Sequence, residues 1–297
     1  MVKTKDNQKQ ETKKKPKSLM HSDLMEFEKM SWKQIDNLDR KKTVFFLPIS
    51  PLEEHGPHLP VGTDLLTAKD TAIEAMKIIQ QNHDDISCVI LPSIPVGYCK
   101  FNTDFPGTIS VSSRVVKDIV YGYGSSLARH GFSNMIICTY HMAFGHLKGI
   151  YAAMEKLRRK YHMNICEPWS PVFHTTNIQD KEPKLGFDTS KDIHAGFRET
   201  SLIKYQYPYL LDPNYVSLQS IYRDVNSPKF VGKTFKQIGL TEGYIGSPAK
   251  ADADYGRWFF NFTVETYVSA TEALLDGKTL PDLPKKVRSQ MKMLFWE

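Results

Sequence analysis

Apolar residues along the chain fall into two alternating patterns. Short, nearly unbroken apolar runs occur at Thr43 to Ile49, Cys88 to Leu91 and Met135 to Thr139. Runs of this length read as strands buried on both faces. Elsewhere apolar positions recur every three or four residues: 65, 68, 72, 76 and 79; then 115, 119, 123 and 127; then 147, 150, 154, 157 and 161. Each set is one stripe of an amphipathic helix, and the second stops ahead of Gly131. Ser31 and Gln34 have the spacing of a capping box and predict an earlier helix start. Residues 92–111, rich in Pro and Gly, read as a long loop. Apolar positions return around Val172–Phe173 and along Trp258–Leu275.

Strands alternating with helices predict an α/β protein whose mainly parallel sheet is covered on both faces. There is no internal repeat and no linker after residue 17, so a single domain is expected over 18–297. In such sheets, sites form outside the carboxyl ends of the strands.

Composition narrows the class. With 41% hydrophobic and 24% charged residues, the chain is an ordinary globular protein with material for a sizeable core. No apolar run is long enough for a transmembrane helix, and the N-terminus lacks the apolar core of a signal peptide. The net charge of +6 is concentrated at one end: residues 1–17 hold seven Lys against Asp6 and Glu11. That segment is expected to be a disordered, solubilising tail, and no specific nucleic-acid partner is expected. Cys88, Cys99, Cys138 and Cys166 lie far apart without a CxxC pair, which predicts reduced thiols and a cytoplasmic setting.

The chemistry collects where strands end. The stretch LPISPLEEHGPHLPVGTD runs from Leu47 to Asp64, directly after an apolar run. In an extended segment Glu53 and His55 point to one side. Pro51, Pro57 and Pro60 stiffen that segment, and Asp64 opens the next helix. Carboxylates mixed with imidazoles suit Zn²⁺, Mn²⁺ or Fe²⁺, the plainer alternative being a polar loop with a capping Asp64. His141 leaves another strand end and could reach the same crevice. His194 and Glu199 flank the small pair Ala195-Gly196, and a helical Glu199 would point back at the crevice. Alternation turns Glu54 toward solvent or a subunit contact. His146 opens a helix and is expected to cap it or face water.

These residues carry a resemblance. Glu53-Glu54-His55-Gly56-Pro57-His58-Leu59-Pro60 followed by Gly62-Thr63-Asp64 is similar to the E-x-H-G-x-H-L-P…G-T-D signature of the creatininase family of metal-dependent hydrolases. Phe105-Pro106-Gly107-Thr108, His194 to Ser201, and Gly243-Tyr244-Ile245-Gly246-Ser247-Pro248 with Ala253 and Gly256 resemble its later motifs, in family order. The resemblance implies a three-layer α/β/α sandwich, two divalent ions per chain (Zn²⁺ or Mn²⁺, with Fe²⁺ a further choice) and a homo-oligomer. It implies Glu53 and His141 on one ion, His55 on the other, Asp64 bridging, and His194 in proton transfer. His58 would support the ligands from behind. One segment departs from the pattern: Thr139-Tyr140-His141-Met142-Ala143-Phe144 stands where many members have N-G-H-G-G-N. Ala143 falls where creatininase itself has a further metal-binding acid, so Glu199 is expected to complete the second site. Tyr140, Met142 and Phe144 are candidates for substrate contact, or packing in the case of Tyr140.

The reaction implied is hydrolysis of a C–N bond in a cyclic amide, amide or formamide by a metal-bridging hydroxide, on a small, non-peptide molecule. The alternatives are opening of a ring ketone by C–C cleavage and a non-catalytic metal-binding protein.

Overall fold

In a computed structural model, residues 24–225 and 232–294 are described. The expected tail at 1–17 lies outside them. The elements, in chain order, are β1 (Met25–Glu26), α1 (Trp32–Asp36), β2 (Thr43–Pro48), α2 (Thr63–Asn82), β3 (Ser87–Ile90), α3 (Ser113–Arg129), β4 (Asn134–Cys138), α4 (Phe144–Tyr161), β5 (Asn164–Cys166), α5 (Trp169–Thr175), α6 (Phe197–Gln206), α7 (Ala253–Leu275) and α8 (Lys285–Met293). The capping box forms as expected: Gln34 N donates to Ser31 Oγ, and Ser31 N donates to Gln34 Oε1 at 2.8 Å.

The five strands are parallel, in the order β1-β3-β2-β4-β5. Strand alternation sorts their side chains into two cores. Val44, Phe46, Cys88, Ile90, Ile136 and Cys138 face α2 and α7. Phe45, Leu47, Val89, Met135, Ile137 and Ile165 face α3 and α4. This is the expected three-layer α/β/α sandwich. It also explains the unbroken apolar runs, because a strand covered on both faces has no polar side.

On α3 the anticipated stripe is displaced. Val115 is exposed and Ile119 and Tyr123 only partly buried, while Val116, Val120, Gly124, Ser125 and Leu127 are buried. The reason is close approach to α4. A Cβ at Gly124 would lie 2.4 Å from Leu157 Cδ1, and one at Gly149 would lie 2.6 Å from Ser113 O. Small residues make that contact, so the stripe turns until Val116 and Val120 face the core and Ile119 and Tyr123 lie at its margin. There they line an outer groove of about 540 Å³ with Phe27, Ile35 and Phe132.

The four cysteines are buried and unpaired, and burial pushes the Cys88 thiol up to about 12. Among the described residues, no helix is long and apolar enough to cross a membrane.

Connections fix where a site can form. From β2 the chain moves outward to β3, then crosses back to β4 on the other side of β2 and on to β5. The carboxyl ends of β2 and β4 therefore flank the point where the strand order reverses, the usual crevice of such sheets. The segment after β2 carries Glu53, His55 and Asp64, and that after β4 carries His141.

Candidate metal centre

All six residues singled out for ligation or proton transfer converge. Three overlapping groups place their donor atoms within 4.8 Å of one another: Glu53, Asp64 and His141; His55, Asp64 and Glu199; and Glu53, His55 and His194. Asp64 joins the first two. Its Oδ2 lies 3.1 Å from His141 Nδ1 and its Oδ1 lies 3.4 Å from His55 Nε2. Asp64 sits in the first turn of α2, 2% exposed, so the helix itself aims the carboxylate inward.

Backbone carbonyls fix both imidazoles. His141 Nε2 bonds to Tyr98 O at 2.9 Å, leaving Nδ1 toward Asp64 and toward Glu53 Oε2 at 2.9 Å. His55 is reversed: Nδ1 bonds to the Glu53 carbonyl at 3.0 Å, leaving Nε2 for Asp64 and, at 3.8 Å, Glu199 Oε2. The nitrogen facing the carboxylates is thus set by a carbonyl behind the ring, the arrangement that orients metal-binding histidines.

Electrostatics agree. Burial alone would depress His141, but the Glu53 and Asp64 carboxylates hold its imidazolium up to about 10. Burial would likewise lower His55, yet Asp64 and Glu199 hold it well above the ordinary histidine value. Asp64, which burial would raise, is drawn below the carboxylate range by His55 and His141. Glu199 is pushed up by burial, which the charges of His55 and His194 only partly offset. Protons on the imidazoles balance the buried acids here, at the same nitrogens that would meet cations. Glu53 Oε2 is buried and is paired with His141 Nδ1 at 2.9 Å. Buried carboxylate oxygens facing imidazole nitrogens whose other nitrogen is held by a backbone carbonyl are the donor set a divalent ion fits.

Glu199 lies in the first turn of α6, as anticipated, and its Oε2 also accepts from Ala195 N. The start of α6 is built around Asp192, which accepts from Phe197 N at 2.6 Å and Arg198 N at 2.9 Å. Asp192 fits only because two backbones lack side chains. A Cβ on Gly196 or Gly246 would fall within about 2 Å of Asp192 Oδ1. Gly246 follows Ile245, whose backbone pairs with that of His194 at 2.7 and 3.2 Å. The late glycine motif therefore braces His194.

Two expectations are corrected. Glu54 does not face solvent; it is 5% exposed and its carboxylate fits against Gly243, where a Cβ would meet Oε2 at 2.0 Å. Its carbonyl lies 2.9 Å and its Oε1 3.5 Å from His194 Nε2. The chain turns at Gly56, with φ +67°, and Gly56 N donates back to Glu54 Oε2, so simple alternation fails. His146 neither caps α4 nor meets water. It is fully buried, contacts Thr139 Oγ1 through Nε2 at 3.1 Å, and burial lowers its pKa to about 3.

The other candidates take varied places. His58 bonds Thr200 Oγ1 at 2.8 Å, and burial, then the nearby His55, lowers its pKa to about 4. Tyr140 is buried and stacks on Trp169, 5.9 Å between ring centres. Met142 Sδ accepts from Ser170 Oγ, and Phe144 packs beside Leu147 and Leu283 and against His174. Ala143, at the start of α4, contributes no ligand atom. Sequence reasoning missed Asn102, whose Nδ2 lies 2.8 Å from Glu53 Oε1 and 3.0 Å from His194 Nε2. The nearest signal was its place just ahead of Phe105-Pro106-Gly107-Thr108.

Comparison with known proteins bears on this arrangement. The family model described as Creatininase: Creatinine amidohydrolase matches residues 28–271. The chain is 27% identical to the creatinine amidohydrolase of Pseudomonas putida over 197 residues, 62% of this chain and 72% of the relative. It is 24% identical over 230 residues to the mycofactocin precursor peptide peptidase of Mycobacterium ulcerans, 75% of this chain and 82% of that protein. With the corresponding peptidase of Mycolicibacterium smegmatis it is 27% identical, spanning 53% of this chain and about half of that relative, 55%. A crystal structure of creatinine amidohydrolase superposes with a TM-score of 0.64 at 23% identity, covering 84% of this chain and 97% of that one. A manganese creatininase gives a TM-score of 0.63 at 23% identity, over 83% and 97% of the two chains. The chain belongs to the creatininase family of hydrolases.

Proposed function

We propose that this protein is a dinuclear-metal hydrolase of amide C–N bonds. The observation that carries the reading is Asp64, whose two oxygens face His141 and His55 with Glu53 beyond one and Glu199 near the other. Glu53, Asp64 and His141 would hold one ion and His55, Asp64 and Glu199 the second. Bound divalent ions would supply a water of lowered pKa and polarise a carbonyl oxygen. The protein's own part is to hold and protonate. His194 Nε2 faces an acceptor, the Glu54 carbonyl, and a donor, Asn102 Nδ2, at nearly equal distance. The ring can keep its place with a proton on that atom or without it. That suits delivery of a proton to a departing nitrogen.

The substrate class is an amide. Relatives named as a creatinine amidohydrolase and as peptide peptidases both act on C–N bonds, so the class extends from cyclic and small amides to peptide amides. The side chains of Tyr140, Met142 and Phe144 are engaged with Trp169, Ser170 and His174, which supports packing around His141 as their part.

The test is release of amine from creatinine, formamides and short peptides by protein loaded with Zn²⁺ or Mn²⁺. Turnover should vanish on chelation and return with metal. Turnover that survives both chelation and Asp64→Ala overturns the proposal.

A further inference from the structure

We propose that Asn102 is a positioning residue of this centre, tying the Glu53 carboxylate to the His194 imidazole and reserving Glu53 Oε2 as that residue's ligand atom. The inference rests on the metal-hydrolase reading above. Asn102 lies on a single turn, Lys100–Asn102, in the loop between β3 and α3, and is 1% exposed. Its Nδ2 reaches Glu53 Oε1 at 2.8 Å and His194 Nε2 at 3.0 Å. An amide nitrogen has two hydrogens and no free lone pair, so Asn102 donates to Glu53, and to His194 Nε2 whenever that nitrogen carries no proton.

The negative charge on Glu53 fixes which way the amide faces. Turned over, its oxygen would meet a carboxylate oxygen at the same distance. In the present orientation Asn102 Oδ1 is buried without a hydrogen-bond partner in the protein. A buried unpaired acceptor is costly, so this side chain is not placed for its own satisfaction. Nor does it hold the loop. The backbone does that, through Asn102 N to Cys99 O at 3.2 Å, Phe105 N to Asn102 O at 3.1 Å and Phe235 N to Phe101 O at 2.8 Å. What the side chain achieves is a division of the Glu53 carboxylate. Oε1 is occupied by Asn102, while Oε2 faces His141 Nδ1 at 2.9 Å, the ring nitrogen that would share an ion with it.

Two substitutions in the full-length chain separate donation from space filling. Asn102→Asp keeps the shape but removes both donated hydrogens and sets a second acid against Glu53. Asn102→Ala removes volume and donors without adding charge. A space-filling role ranks Asp above Ala, and a donor role ranks Ala above Asp. The readouts are the rate of Zn²⁺ release to dipicolinate, the visible spectrum of the Co²⁺-loaded protein, and melting of the metal-free chain. We expect Asn102→Ala to weaken Zn²⁺ retention about 10- to 100-fold and Asn102→Asp to weaken it further. Both should change the Co²⁺ spectrum, with metal-free Asn102→Ala melting close to wild type. On any amide the wild type hydrolyses, kcat should fall more than KM changes. Zn²⁺ retained by Asn102→Asp at least as well as by Asn102→Ala overturns the inference. So does an unchanged Co²⁺ spectrum in Asn102→Ala, which decides the matter should the Asp variant not fold. Wild-type protein that binds neither ion defeats the metal-hydrolase reading itself, a failure seen in a separate arm.

Discussion

Glu167, just after β5, is fully buried and lies outside the candidate metal-binding groups. Its oxygens accept from Trp169 N at 2.9 Å, Ser170 N at 3.1 Å and the Tyr151 hydroxyl at 3.1 Å. Burial outweighs these bonds and raises its pKa from the ordinary 4.5 to about 7. The folded protein therefore holds this proton more tightly than the unfolded chain. The associated stability is complete below pH 4.5 and is lost as pH rises through about 7. A shift of this size corresponds to about 3 kcal/mol. At roughly 2–4 °C per kcal/mol, that is on the order of 6–12 °C in melting temperature. Glu167→Gln mimics the protonated acid and does not titrate. The assay is thermal melting of chelator-treated wild type and variant at intervals from pH 4.5 to 7.5. Acids common to both, such as Asp70 and Asp192, cancel in the difference. The variant should gain on the wild type steadily across that range. Parallel curves would refute the linkage. Glu167 also fixes the start of α5, whose Trp169 stacks on Tyr140, the residue before His141.

Further outcomes follow from the centre itself. Asp64→Ala should deplete both metal positions by elemental analysis, whereas Glu199→Gln should deplete one of two and remove most activity; full occupancy in Glu199→Gln would leave that residue as the bond to Ala195 N alone. His194→Ala should keep wild-type metal content while kcat falls about 10²- to 10⁴-fold, and metal loss as large as in His141→Ala would make it a ligand instead.

Much of the frame was legible because burial on two faces leaves an unmistakable signature. β2, β3 and β4 stand out as apolar runs. By contrast β1 has two residues and β5 three, too few to show a period. The residues gathered at the centre were legible through position after a strand and through motif spacing. What escaped depends on the path of the backbone or on contacts distant in sequence. Glu54 was misplaced because the turn at Gly56 and the open space at Gly243, almost two hundred residues away, are invisible to alternation. His146 carried a usable signal, since it lies four residues before Ile150 on the buried stripe of α4. Asn102 sits in a loop without periodicity, where nothing in the pattern says which polar side chain turns inward. The displaced face of α3 reflects glycine-mediated packing, which hydrophobicity does not register.

The central claim is that Asp64 joins two metal positions in one chain. Elemental analysis of full-length protein, purified without chelator and equilibrated with Zn²⁺ or Mn²⁺, measures this directly. Two ions per chain in the wild type, falling toward none in Asp64→Ala, is the predicted result. No bound ion under saturating metal, or an Asp64→Ala variant that retains both, would contradict it.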